Sequence, residues 1–121
     1  MNVLILEQSH IIGKRIVNML AAEEKLKVTR VPVEGDEGFS IIDKYYPNIL
    51  ILTIDFYTQK GLKRLGEAIS KHKDLTVIAL SNTSFKHTKE KVNKLGIQYY
   101  LDKSTDFFRL VDICHTILNA N

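Results

Sequence analysis

At 121 residues and 13.9 kDa the chain has the size of one domain, 1–121, with enough length to bury a single core. A hydrophobic content of 45% beside 26% charged residues excludes a disordered chain. The formal charge of +3 and pI of about 9.0 come without the dense basic stripe that would argue for direct nucleic-acid binding.

Val3-Leu4-Ile5-Leu6 is a continuous apolar run, the pattern of a strand covered on both faces. Glu7 interrupts it, which speaks against a signal peptide, and no later run approaches the roughly 20 residues needed to cross a bilayer. Ser9 is an N-cap candidate for a helix in which Ile12, Ile16, Met19 and Leu20 share one face. Val28 to Val33 reads as a second strand, with Pro32 at its end or on an edge. Phe39, Ile42 and Tyr46 recur at helical spacing up to Pro47, which biases Tyr46 away from helix. Ile49-Leu50-Ile51-Leu52 is another doubly buried strand, ending at Thr53.

A loop then leads to Gly61 and a helix with Leu62, Leu65 and Ile69 on one side. Leu75 to Leu80 is the fourth strand. Ser84 is a cap candidate for a polar helix carrying Phe85, Val92 and Leu95 and stopping at Gly96. Lys86, His87, Lys89, Lys91 and Lys94 give that helix a solvated face. Ile97 to Leu101 is the fifth strand, after which Ser104 or Thr105 caps a last helix with Phe107, Leu110, Cys114 and Ile117 turned inward. Cys114, the single cysteine, reads as core packing; it excludes an internal disulfide and fits a reducing cytoplasm.

Five strands alternating with five helices predict an α/β fold with a parallel sheet covered on both sides. In such sheets chemistry gathers beyond the carboxyl ends of the strands. That places Glu7, Gln8, Thr53, Ser81 and Lys103 together in space, although they are scattered along the chain.

Four segments carry a specific resemblance: VLILEQS at the first strand, PNILILTIDFYTQKGL around the third, VIALSN at the fourth and LGIQYYLDKS at the fifth. Along essentially its whole length the chain resembles a response-regulator receiver domain of two-component signalling. The resemblance implies a flavodoxin-like, doubly wound (βα)5 sheet in the order 2-1-3-4-5. Pro47, Gly61 and Leu62 keep the frame of the family's third-strand motif and set Thr53 on the phospho-accepting aspartate. Ser81 falls on the hydroxyl residue that hydrogen-bonds the phosphoryl group, Lys103 on the lysine that neutralises it and Tyr100 on the switch aromatic. The chain departs from the pattern in three places: Glu7-Gln8 stands where the family has two acidic residues, Thr53 replaces the acceptor and Ser104 replaces the proline that commonly follows the lysine.

These departures bear on the chemistry. A threonine hydroxyl is a poor nucleophile without an adjacent base. Magnesium takes one or two carboxylates from a protein, and Gln8 offers only a neutral carbonyl. The expected chain is therefore an atypical, non-enzymatic receiver with no cofactor, acting through a protein partner or as a homodimer without phosphorylation. Thr53 itself then serves as a β-branched strand residue. Asp55, two residues on, is expected as a loop or capping carboxylate; the alternative is a relocated acceptor, with Glu7 helping to bind magnesium. Two fates are open to Lys103: pairing with Glu7 or Asp55, or reaching solvent.

The family's usual contact surface would here carry Lys91, Lys94, Asp102, Arg109 and Asp112, mixed charges that suit a two-fold interface and equally a solvated surface. A small-molecule binder on the same fold is a further reading, but Glu7-Gln8-Ser9-His10 lacks a glycine-rich phosphate loop. His10 reads as a surface histidine beside a cap. Membrane contact is not expected, and nucleic acid enters only through an output domain outside this sequence.

Overall fold

The apolar runs become the strands β1 (Asn2–Leu6), β2 (Lys27–Val31), β3 (Ile49–Thr53), β4 (Thr76–Ser81) and β5 (Tyr99–Asp102) of a computed structural model. It describes residues 1–33, 39–55, 57–82, 90, 92–103 and 106–120. All five strands pair in parallel in the order β2-β1-β3-β4-β5, the flavodoxin-like arrangement. The helices are α1 (His10–Leu20), α2 (Phe39–Tyr45), α3 (Gln59–Lys71) and, at the C-terminal end, α4 (Arg109–Asn119). Residues 90 and 92–94 are also helical. Among the described residues no helix is long and apolar enough to cross a membrane.

Strand side chains alternate between faces, so each apolar run serves two cores. Val3, Ile5, Ile49, Ile51, Ile78 and Leu80 pack with Ile16 and Leu20 of α1 and with Leu110, Ile113 and Cys114 of α4. Leu4, Leu6, Leu50, Leu52, Val77 and Ala79 pack on the other face against Phe39, Ile42, Leu65 and Val92. Each fully buried Leu or Ile contributes about 1.5–3 kcal/mol, which is why these strands carry no polar alternation. Cys114 is wholly buried in the first core, and burial pushes its thiol up to about 11.

Local chemistry sets the ends of the elements. The Ser9 side chain caps α1 by accepting from Ile12 N–H. β2 stops at Val31, earlier than Val33, because Pro32 has no N–H to give and Val33 N–H turns back to Val31 O. Tyr46 adopts φ of +50° ahead of Pro47, and its ring meets His72 edge-on. His72 in turn pairs with Asp43 of α2 at 2.7 Å, tying the end of α3 to α2.

Three further boundaries differ from expectation. Helix α3 begins before Gly61, since Thr58 caps it by accepting from Gly61 N–H. The fifth strand begins at Tyr99: Ile97 N–H is bonded to Val92 O, and the Gln98 side chain takes the Val77 N–H that a longer strand would bind. Helix α4 opens at Arg109 with Phe108 at its N-cap and no side-chain cap. The expected caps Ser84, Ser104 and Thr105 lie outside the described residues, as do Phe85, Lys86, His87, Lys89 and Lys91. Gly96 has φ of +88°, the left-handed stop expected of it.

Candidate functional site

Parallel register brings the strand ends to one edge. Leu6 stands opposite Leu52, Thr53 opposite Leu80, and Ser81 opposite Asp102. The ladder runs one step past the strands, with Ile54 N–H bonded to Leu80 O and Lys103 N–H to Ser81 O at 2.9 Å. Thr53, Ser81 and Lys103 are therefore held by backbone that is itself hydrogen-bonded across the sheet, and Glu7 and Asp55 each directly follow such a residue.

Two carboxylates organise the cluster. Glu7 is buried, and one of its oxygens, Oε1, accepts from Ser9 N–H at 3.2 Å. Its Oε2 accepts from the Thr53 hydroxyl and lies 3.2 Å from Lys103 Nζ. Lys103 thus takes the first of its two open fates: only 10% of its side chain is exposed, and Glu7 supplies its counter-charge. Thr53, also buried, directs its hydroxyl proton at Glu7. The second carboxylate, Asp55, accepts from the Ser81 hydroxyl at 2.5 Å and from Asn82 N–H at 2.9 Å. Asp55 lies in the turn that follows β3 and from there reaches across the sheet edge to the end of β4.

Arg30 is a residue that pattern reading missed. From β2 its Nη2 donates to the backbone carbonyls of Glu7 and Gln8, at 3.0 and 3.2 Å. Gly13 makes room for it: a Cβ there would stand 2.0 Å from Arg30 Nε. The β1–α1 turn is in this way clamped by a cation from the neighbouring strand. An arginine in a short half-buried strand is the available signal, but nothing local says what it reaches. Asn82 was equally hidden, because it acts through its backbone.

The remaining expected residues spread outward. Gln8 is exposed beside Glu7, and Tyr100 is half-buried against the core on the α2–α3 side. Lys94, Arg109 and Asp112 are exposed and Asp102 is half-buried. His10 is the exposed first residue of α1. Arg15 lies over the Phe107 ring at 4.5 Å, linking α1 to the segment ahead of α4. No three His, Cys, Asp or Glu side chains converge on one point among the described residues.

Similarity to known proteins follows the same lines. A curated relative, the transcriptional regulatory protein DegU of Brevibacillus brevis, is 22% identical over 110 residues. That match takes in 91% of this chain and 47% of the relative, so the chain spans about half the relative's length. A LuxR-family DNA-binding response regulator from Staphylococcus aureus superposes with a TM-score of 0.80 at 22% identity, over 96% of this chain and 97% of that one. The receiver domain of a DNA-binding response regulator from Colwellia psychrerythraea gives 0.84 at 14% identity, over 98% of both chains. At these identities the structures speak to the fold alone. Residues 3–115 match the response regulator receiver domain family, and with the sheet order and the polar cluster at the strand ends this makes the chain a member of that family.

Proposed function

We propose that this receiver is a binding module, not a catalyst, that acts through a protein partner or a second copy of itself without being phosphorylated. The observation that carries the reading is the state of Glu7. Its carboxylate is already engaged by the Thr53 hydroxyl, the Ser9 N–H and the Lys103 ammonium. The hydroxyl at the acceptor position therefore spends its proton on a structural bond, and no anionic nucleophile stands there.

The same groups fit a divalent cation poorly. Magnesium seeks an octahedron of oxygens with one or two carboxylates. Here the nearest carboxylate has an ammonium at 3.2 Å, and the carbonyls of Glu7 and Gln8 are taken by Arg30. Two protein cations supply the positive charge instead. Exposed Lys94, Arg109 and Asp112, with half-buried Asp102, support a contact surface of mixed charge, and Lys91 is proposed with them on sequence grounds. Tyr100 sits beside that surface in β5. The compartment proposed is the cytoplasm, and any contact with nucleic acid would come through an output domain outside this sequence.

Asp55 favours a second reading, in which it accepts a phosphoryl group beside Ser81, because its carboxylate lies in the cluster. One experiment separates the two. Treatment with acetyl phosphate and magnesium should leave the intact mass unchanged, and self-association or partner capture should be unaffected by it. A gain of one phosphoryl group that disappears in Asp55→Asn would establish the second reading and reject the first.

A further inference from the structure

At the other end of the strands from the polar cluster lies a cleft of about 820 Å³, a volume suited to a small molecule. Residues at the start of three strands line it: Asn48 just ahead of β3, Thr76 opening β4 and Tyr99 opening β5. Ile117 and Leu118, near the end of α4, add an apolar wall that packs on the first core. Asn48 ties this floor together. Its Oδ1 accepts from Asn2 N–H at 2.8 Å and its carbonyl from Thr76 N–H at 2.9 Å. Other polar groups here are not consumed by the fold. Among the described residues, the Asp74 carboxylate and the hydroxyls of Thr76 and Tyr99 have no hydrogen-bond or ion partner.

Charge selects the occupant. Among the described residues that line the cleft, Asp74 carries the only charged side chain, and the α-ammonium of Met1 is spent on Lys25 O at 3.0 Å. We infer that the cleft binds a small organic cation, an ammonium group carried on an apolar or aromatic body. The ammonium pairs with the Asp74 carboxylate and donates its further N–H bonds to the hydroxyls of Thr76 and Tyr99. The body lies along Ile117 and Leu118, and the half-buried Tyr99 ring offers the cation an aromatic face. An anion of the same shape would meet the Asp74 charge and be turned away. The inference goes beyond the partner-binding reading and does not depend on it. An occupant would bridge the amino ends of three strands and the last turn of α4, the helix that carries Arg109 and Asp112 of the proposed contact surface.

The test is an NMR titration of the isotope-labelled protein with phenethylamine, phenethyl alcohol and phenylacetate, a cation, a neutral molecule and an anion on one aromatic body. The amine should shift the Thr76 and Tyr99 amides saturably, with the alcohol at least about tenfold weaker for want of the charge-assisted bond, and phenylacetate weaker still. Asp74 is exposed, so Asp74→Asn leaves the core untouched, and it should bring the amine down to the level of the alcohol. Tyr99→Leu should weaken amine and alcohol alike. Amides at the cleft that never saturate with the amine, equal binding of amine and alcohol, or an Asp74→Asn variant that binds the amine as before would each overturn the site. Phosphodonor labelling of the wild type would instead overturn the functional reading while leaving the titration result intact.

Discussion

Lys103→Met keeps the aliphatic stem and deletes the charge. In the wild type Nζ stands 3.2 Å from Glu7 Oε2, with the two side chains 10% and 5% exposed. At an effective dielectric of about 20, unit charges at that spacing attract by about 5 kcal/mol. Desolvation cancels much of this while both partners are present, but removing one leaves the other charge buried and uncompensated. Breaking such a pair costs about 3–5 kcal/mol. Glu7 keeps its bonds from Thr53 and Ser9, so a loss near the lower end, about 3 kcal/mol, is expected. The chain has no tryptophan, and urea unfolding is best followed by far-ultraviolet circular dichroism. Combining Lys103→Met with Glu7→Gln removes both charges and should restore about 2 kcal/mol relative to the sum of the single losses. A Lys103→Met loss below about 1 kcal/mol, the level of a solvated pair, would refute a buried charge pair at this site. Strict additivity in the double variant would do the same.

Gly13→Ala should drive the Arg30 guanidinium off the Glu7 and Gln8 carbonyls and lose about 1–2 kcal/mol net of the helix-propensity gain. In an Arg30→Ala background, which lacks the side-chain atoms the new Cβ would meet, the same substitution should stabilise by about 1 kcal/mol, and denaturation showing a gain in both backgrounds would remove Arg30 as a clamp. At Asp43 the His72 hydrogen bond, and then Lys71, hold the carboxyl below its ordinary 3.8 against an opposing effect of desolvation. With the folded value depressed, that contribution is complete above the ordinary value and is lost as pH falls through the folded one. Denaturation midpoints of wild type and Asp43→Asn should therefore converge below about pH 4, and a gap that stays constant into acid would contradict the pairing. Cys114, its thiol raised from 9.0 to about 11, should react with a thiol reagent near neutral pH only as fast as the protein unfolds. Rapid labelling of the native state would mean that the core around α4 opens.

Much of the fold could be read from residue order, because burial on two faces demands uninterrupted apolar runs and leaves them visible. Val3 to Leu6 and Ile49 to Leu52 are such runs, and the parallel topology then dictates that their carboxyl ends share an edge. Boundaries were less legible where a side chain stood in for backbone. Gln98 replaces a strand partner for Val77 N–H, and the ladder starts one residue later, at Tyr99.

Residue types at the strand ends were likewise determined by sequence alone: a threonine at 53, one carboxylate at 7 and a lysine at 103. Their partners were not. Sequence left Lys103 with two fates and treated Asp55 as a loop carboxylate, and it gave Arg30 no role. Only the tertiary structure decided that Lys103 pairs with Glu7, that Asp55 crosses to Ser81 and Asn82, and that Arg30 clamps the β1–α1 turn beside Gly13. The physical reason is range. Apolar periodicity is written by neighbours in the chain, whereas a hydrogen bond or ion pair forms over about 3 Å between residues that only folding brings together.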